Sequence, residues 1–284
     1  MATFVAACIQ LRSCKTISVN TENAENLIRA AAAEGATYIQ TPEMSNVLVR
    51  SRSELLERIS VLHEDKFLKM GCRLASDLSV HLHIGSLAIL LENGKVANRA
   101  VLISPNGKIA VFYDKIHMFD VDLPNGESWR ESATYAPGNE SVIVELSGVK
   151  LGMAICYDVR FPEIFRAQSR LGAEVLTAPA AFTRQTGKAH WHVLQRARAI
   201  ENGAYVISAA QGGNHEDGRE TYGHSVIVDP WGKIIAELEG DEPGYVLAEI
   251  DKQAVEKARS RIPAIANERQ FECKVTEALK EEPA

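Results

Sequence analysis

The spacing of apolar positions changes period several times along this chain. Residues 3–11 form a short, almost wholly apolar run, the pattern of a strand buried on both faces. Residues 21–35 place Ala, Leu and Ile at helical spacing and stop at Gly35, which predicts a helix with a C-terminal stop. Residues 37–41 predict a second strand, and 54–79 one long amphipathic helix. From 81 to 116 the period drops to two, in three apolar segments separated by Glu92-Asn93-Gly94 and Pro105-Asn106-Gly107. Asn-Gly tolerates the positive φ of tight hairpin turns, so this stretch predicts an antiparallel patch.

Residues 117–140 show little periodicity and hold Pro124, Gly126, Pro137 and Gly138, which predicts a long functional loop. Beyond it, strands at 141–146, 150–155, 174–178, 204–210, 224–228, 233–238 and 245–250 are interspersed with helices at 162–171, 188–202 and 251–260. Residues 212–221 read as a glycine- and charge-rich loop. Alternating strands and helices with inserted hairpins place the chain in the α/β class, with one mixed sheet or two. One domain over 1–271 and a charged tail over 272–284 are expected.

Composition narrows the function classes. The chain is 46% hydrophobic and carries a net charge of −6, enough apolar matter for a sizeable core and no basic stripe for nucleic acid. No run approaches the ~18 apolar residues of a membrane span, and the N-terminus lacks the basic start of a signal peptide. The cysteines Cys8, Cys14, Cys72, Cys156 and Cys273 are odd in number and contain no C-x-x-C pair. That argues against a disulfide framework or zinc ribbon and for a reducing, cytoplasmic setting. His81 and His83 share a strand face but lack a third metal ligand, and no phosphate-binding glycine motif occurs, so no metal or cofactor is expected.

Three stretches carry candidate chemistry. In Gly152-Met153-Ala154-Ile155-Cys156-Tyr157-Asp158, a strand ends at a cysteine and a helix follows, with Pro162 suited to its first turn. A thiol at such a turn lies near helix N–H groups that favour thiolate, the nucleophilic form, and the Tyr157 N–H is placed to face a developing oxyanion. The plain alternative is one more buried cysteine. Pro42-Glu43 follows a strand end and places a carboxylate at its mouth; partial burial would raise its pKa toward the working pH, as an acid/base requires. Lys115 also follows a strand and is either a surface charge or, if buried beside Glu43, an oxyanion partner.

Taken in order, Pro42-Glu43, Asp114-Lys115-Ile116-His117 and Gly152 through Glu163 resemble the nitrilase superfamily of carbon–nitrogen hydrolases, over nearly the whole chain. The resemblance implies an αββα sandwich of two mixed sheets between helical layers. It implies a Glu43–Lys115–Cys156 triad, with Glu131 as a second active-site carboxylate that holds the lysine. It implies no metal or organic cofactor, a small linear amide as substrate and a covalent thioester on Cys156. Members commonly pair through a helical face, so a homodimer or higher homo-oligomer is implied as well.

Residues 187–191, 209–215 and 222–225 look most like the deaminated-glutathione amidase branch, which acts on 2-oxoglutaramyl peptides. The omega-amidase branch matches through Asp158–Glu163 and departs near 211–223. Nitrile or N-carbamoyl hydrolysis, or an inactive binding module on this fold, are the remaining readings; the last requires loss of a triad residue, and all three are present. Arg160, Thr183 and Arg184 follow strand ends and suit substrate carboxylates. For Arg160, a structural pair with Asp158 or Glu163 is the equal alternative. Gln211 is a further candidate for substrate contact.

Overall fold

The computed structural model describes residues 3–124 and 126–276. The first part of the chain forms β1 (Thr3–Gln10), α1 (Ile17–Ala33), β2 (Tyr38–Gln40), α2 (Arg52–Leu56), α3 (Lys66–Leu78), β3 (His81–Leu90), β4 (Val96–Ile103) and β5 (Ile109–Asp114). A less regular stretch follows, with β6 (Asp120–Asp122), β7 (Ser128–Arg130) and β8 (Tyr135–Ala136). Then come β9 (Val142–Leu146), β10 (Val149–Met153), α4 (Pro162–Arg170), β11 (Val175–Thr177), α5 (Arg184–Asn202) and β12 (Tyr205–Ser208). The chain closes with β13 (Gly212–Asn214), β14 (Glu220–Tyr222), β15 (Val226–Val228), β16 (Ile234–Glu237), β17 (Gly244–Asp251) and α6 (Lys252–Arg261).

Two mixed sheets result. One runs β17-β1-β2-β3-β4-β5, with β8 added on β4; the other runs β16-β15-β12-β11-β10-β9. Side-chain alternation along β1 shows how they are layered. Phe4, Ala6 and Cys8 join the core shared with Leu151, Met153, Val206 and Val226 of the second sheet. Ala7 and Ile9, on the opposite face, pack with Ile28 of α1 and Phe67 and Leu74 of α3. Phe165 of α4 and Trp191 and Ala199 of α5 extend the first core on the outer side of the second sheet. The order is helices, sheet, sheet, helices, as the resemblance implied.

Four expectations are corrected. The helix expected over 54–79 is broken: Ser60 leaves it, its carbonyl accepting from Leu90 N at 3.0 Å. A new helix then starts at Asp65, whose carboxylate caps the Leu68 N–H at 2.8 Å. The loop over 117–140 contains the β6–β7 hairpin, and the one over 212–221 contains β13–β14. Helix α5 begins at Arg184 rather than 188, because Thr183 caps it by accepting from Thr186 N. Residues 271–276 are exposed, and 277–284 of the expected tail lie outside the described residues. Among the described residues no helix is long and apolar enough to cross a membrane.

Candidate active site

The site is assembled at the ends of strands. Beyond β2 the chain turns through Thr41-Pro42-Glu43, tied to the neighbouring strand by Thr41 N to His83 O at 3.0 Å and Ser86 N to Pro42 O at 3.1 Å. Lys115 directly follows β5, and its N–H donates to Asn98 O on β4 at 3.0 Å. Cys156 lies three residues beyond β10 with φ of 47°, a left-handed conformation that costs a side chain of this kind on the order of 1–2 kcal/mol. Its N–H donates to Pro179 O at 2.9 Å. Asp158 fastens this turn to the lysine segment. Buried completely, it accepts from Ile155 N and from the Tyr113 hydroxyl at 2.8 and 2.7 Å, and from His117 N at 3.0 Å.

Glu43, Lys115, Glu131 and Cys156 all line one cavity of about 220 Å³. Lys115 Nζ donates to Glu43 Oε1 at 2.9 Å and to the two oxygens of Glu131 at 3.1 and 2.9 Å. Asn98 Nδ2 bridges the same carboxylates, at 2.8 Å to Glu43 and 3.0 Å to Glu131. The other Glu43 oxygen accepts from Ala181 N at 2.8 Å, and the other Glu131 oxygen from Phe119 N at 2.7 Å. Asn98 was not singled out in the sequence. The available signal was an amide at an inward position of the mostly apolar segment 96–103, which also holds Arg99; an unpaired polar group buried there is costly.

The charges follow from this arrangement. Burial pushes the Glu43 pKa up, but the Lys115 ammonium and the hydrogen bonds outweigh it and hold the carboxyl below its ordinary value of 4.5. Burial pulls Lys115 down, and Glu131 and Glu43 more than restore it, so it remains an ammonium. Burial and then the Glu43 carboxylate, which accepts a hydrogen bond from the thiol, push Cys156 well above the usual thiol range. Two expectations are thereby reversed. The turn does not yield a resting thiolate, because the groups facing the sulfur include a carboxylate. Burial does not leave Glu43 with a raised pKa, because its nearest cation is buried with it.

The other expected residues separate into two groups. Tyr157, Arg160 and Thr183 line the cavity. The Thr183 hydroxyl also caps α5, 2.8 Å from the Thr186 hydroxyl. Asp158, one proposed structural partner of Arg160, is occupied elsewhere, and Arg160 instead lies over the Phe182 ring at 5.0 Å with Nη1 3.1 Å from His190 Nδ1. Arg184 and Gln211 do not line the cavity. Arg184 points to Asp241 at 2.6 Å and Glu220 at 3.3 Å, because as the first residue of α5 it projects away from the site. Gln211 is fully buried behind Glu43, donating to the Ser13 hydroxyl at 2.7 Å and to Glu43 O at 3.0 Å. Its contact is with the loop that carries the carboxylate.

Met44, Val47, Phe119, Tyr135 and Phe182 are among the apolar walls of the cavity, and Arg50, Trp129, Arg130 and Arg219 also line it; no sequence motif marks any of them. Their positions in sequence-irregular segments gave no periodic signal. Among the described residues one group has metal-ligand spacing: His192, His224 and Glu237, with ligand atoms within 4.8 Å of one another. None of the three lines the cavity.

Known proteins match this chain closely. The carbon–nitrogen hydrolase family model matches residues 5–260. A protein of Synechocystis sp. (strain PCC 6803 / GT-S) named deaminated glutathione amidase is 41% identical over 271 residues, covering 93% of this chain and 98% of its own. The crystal structure of the C. elegans NitFhit protein superposes with a TM-score of 0.88 at 32% identity over 95% of this chain, which spans 66% of that longer protein. A mutant of the amidase from Nesterenkonia sp. AN1, solved after Michael addition of acrylamide at its active-site cysteine, has a TM-score of 0.76 at 25% identity, covering 92% of this chain and 98% of that one.

Proposed function

The chain belongs to the carbon–nitrogen hydrolase family and is an amidase of the nitrilase superfamily; from that premise we propose that it cleaves a 2-oxoglutaramyl peptide of the deaminated-glutathione kind, through a thioester on Cys156. The observation that carries the substrate reading is Arg160. It lines the cavity close to Cys156 and forms no ion pair among the described residues. A guanidinium held there suits the carboxylate of a 2-oxo acid, which it binds through two parallel N–H bonds.

The proposed chemistry keeps the buried charge constant. Glu43 and Glu131 as carboxylates, Lys115 as ammonium and a neutral thiol sum to one negative charge. A thiolate formed without loss of its proton to Glu43 would add a second. Glu43 therefore takes the Cys156 proton as sulfur attacks the amide carbon, and the new negative charge appears on the carbonyl oxygen. Once protonated, Glu43 holds Lys115 less strongly, which frees an ammonium N–H for that oxygen alongside the Tyr157 N–H. Glu43 then protonates the departing nitrogen as the C–N bond breaks, leaving the thioester. Water attacks the thioester and gives its proton to Glu43; the C–S bond breaks, and the sulfur recovers a proton from Glu43. Removing one oxyanion donor costs about 10²–10³ in rate.

A panel of 2-oxoglutaramyl peptides, 2-oxoglutaramate, simple nitriles and N-carbamoyl compounds, followed by amine or ammonia release, tests the assignment. The highest kcat/KM is expected for the 2-oxoglutaramyl peptides, with Arg160→Met raising KM for them about tenfold or more. A nitrile or N-carbamoyl compound as best substrate, or an Arg160→Met protein with unchanged KM, overturns it.

A further inference from the structure

The cavity is lined by four arginines, Arg50, Arg130, Arg160 and Arg219, and they differ in what already satisfies them. Arg130 is paired with Asp122 at 2.9 Å, and Arg219 with Asp217 at 2.8 Å. Arg160 is assigned above to the acyl part of the substrate. Arg50 remains: among the described residues it has no ion pair, and its one hydrogen bond is a long one, Nη2 to Ser128 O at 3.3 Å.

Arg50 is nonetheless held in place. It follows Val47, Leu48 and Val49, all buried in a small apolar core with Leu55 and Ile59. Its guanidinium lies 4.6 Å from the centre of the Trp129 ring, and Arg219 lies 4.8 Å from the same ring. A guanidinium over an aromatic face is attracted by the ring's negative face, and that contact uses none of its N–H donors, of which one is directed at Ser128 O. Glu127 is near: Trp129 Nε1 donates to it at 3.4 Å, though Glu127 does not line the cavity. Arg50 is exposed, whereas Arg160 is half-buried. Among the described residues, these two arginines of the cavity have no acid partner, and they differ in exposure.

We infer that Arg50, seated on Trp129 at the cavity mouth, forms a second carboxylate subsite, for the acid group of the leaving amine. The inference rests on the amidase reading above and adds to it the chemistry of the far side of the scissile bond. The preferred leaving group is an amino acid or short peptide with a free C-terminal carboxylate, rather than ammonia or an uncharged amine. Arg50 binds and sorts substrates; the bond-breaking groups remain those around Cys156.

The test compares two substrates that differ in one group: a 2-oxoglutaramyl peptide with a free C-terminal carboxylate and the same peptide as its C-terminal carboxamide. The wild-type protein is expected to show a KM about ten- to a hundredfold lower for the acid, the range of one charge-assisted contact. In Arg50→Gln that ratio is expected to collapse toward one, and in Arg50→Lys to recover only in part, because the planar stacked fork is lost. A wild-type ratio near one overturns the subsite without any variant, and so does an Arg50→Gln protein that keeps the ratio. If both peptides are hydrolysed without discrimination, the subsite alone fails. If neither is hydrolysed, the functional reading fails and the subsite with it.

Discussion

Cys156 carries its proton at rest, and Glu43 does not. The first follows from burial beside a carboxylate, the second from the Lys115 ammonium 2.9 Å away. Because the Glu43 pKa is depressed on folding, the group stabilises the folded state at neutral pH. That contribution is lost as pH falls below the ordinary value of 4.5 and through the folded one. Activity follows the same sign. The pH profile of kcat/KM is expected to be flat across the neutral range, with its acid limb below the ordinary carboxylate value; a limb centred near the histidine range would contradict this. The meeting of Glu43, Lys115 and Cys156 at one cavity was legible from the motifs that surround them. Their protonation was not, because a pKa depends on what faces the group across the cavity, and in sequence Lys115 is 72 residues from Glu43.

At the scale of elements, the periodicity located the main strands and helices of both sheets. It missed helix starts at Thr183 and Asp65, where a capping side chain rather than apolar spacing sets the boundary. It also merged α2 and α3, because apolar spacing continues across the break. One position matters more than any pattern suggested. A methyl group on Gly85 would collide with Thr41 O and lie 2.6 Å from Pro179 Cβ and 2.8 Å from Pro42 C. Those are the backbone segments that set Glu43 and receive the Cys156 N–H, so only glycine lets them meet over β3. Gly85→Ala is expected to lower kcat at least a hundredfold and to destabilise the fold by about 1–3 kcal/mol through overpacking. Kinetics and thermal unfolding of the purified variant check both; a folded variant with wild-type kcat would show that this close approach does not position the site.

Over the whole molecule, the site exists only where the two sheets meet. Glu43 and Lys115 come from the ends of strands in the first sheet, and Cys156 from the second. Glu43 is bound from both sides, by Lys115 and by Ala181 N. Further bonds cross the same seam: Ala209 N to Gln40 Oε1 at 2.8 Å, and Ser225 N to Gln10 Oε1 at 2.9 Å. Layering of this kind was not legible from periodicity, which reports which face of a strand is apolar but not what covers it; it entered through the resemblance. The most direct measurement is the mass of the intact protein, acid-quenched during turnover of a 2-oxoglutaramyl peptide. A thioester mechanism at Cys156 requires an adduct equal to the acyl part alone, mapped by peptide digestion to Cys156 and absent from Cys156→Ala. Turnover by Cys156→Ala, or an acyl group on any other residue, would contradict it.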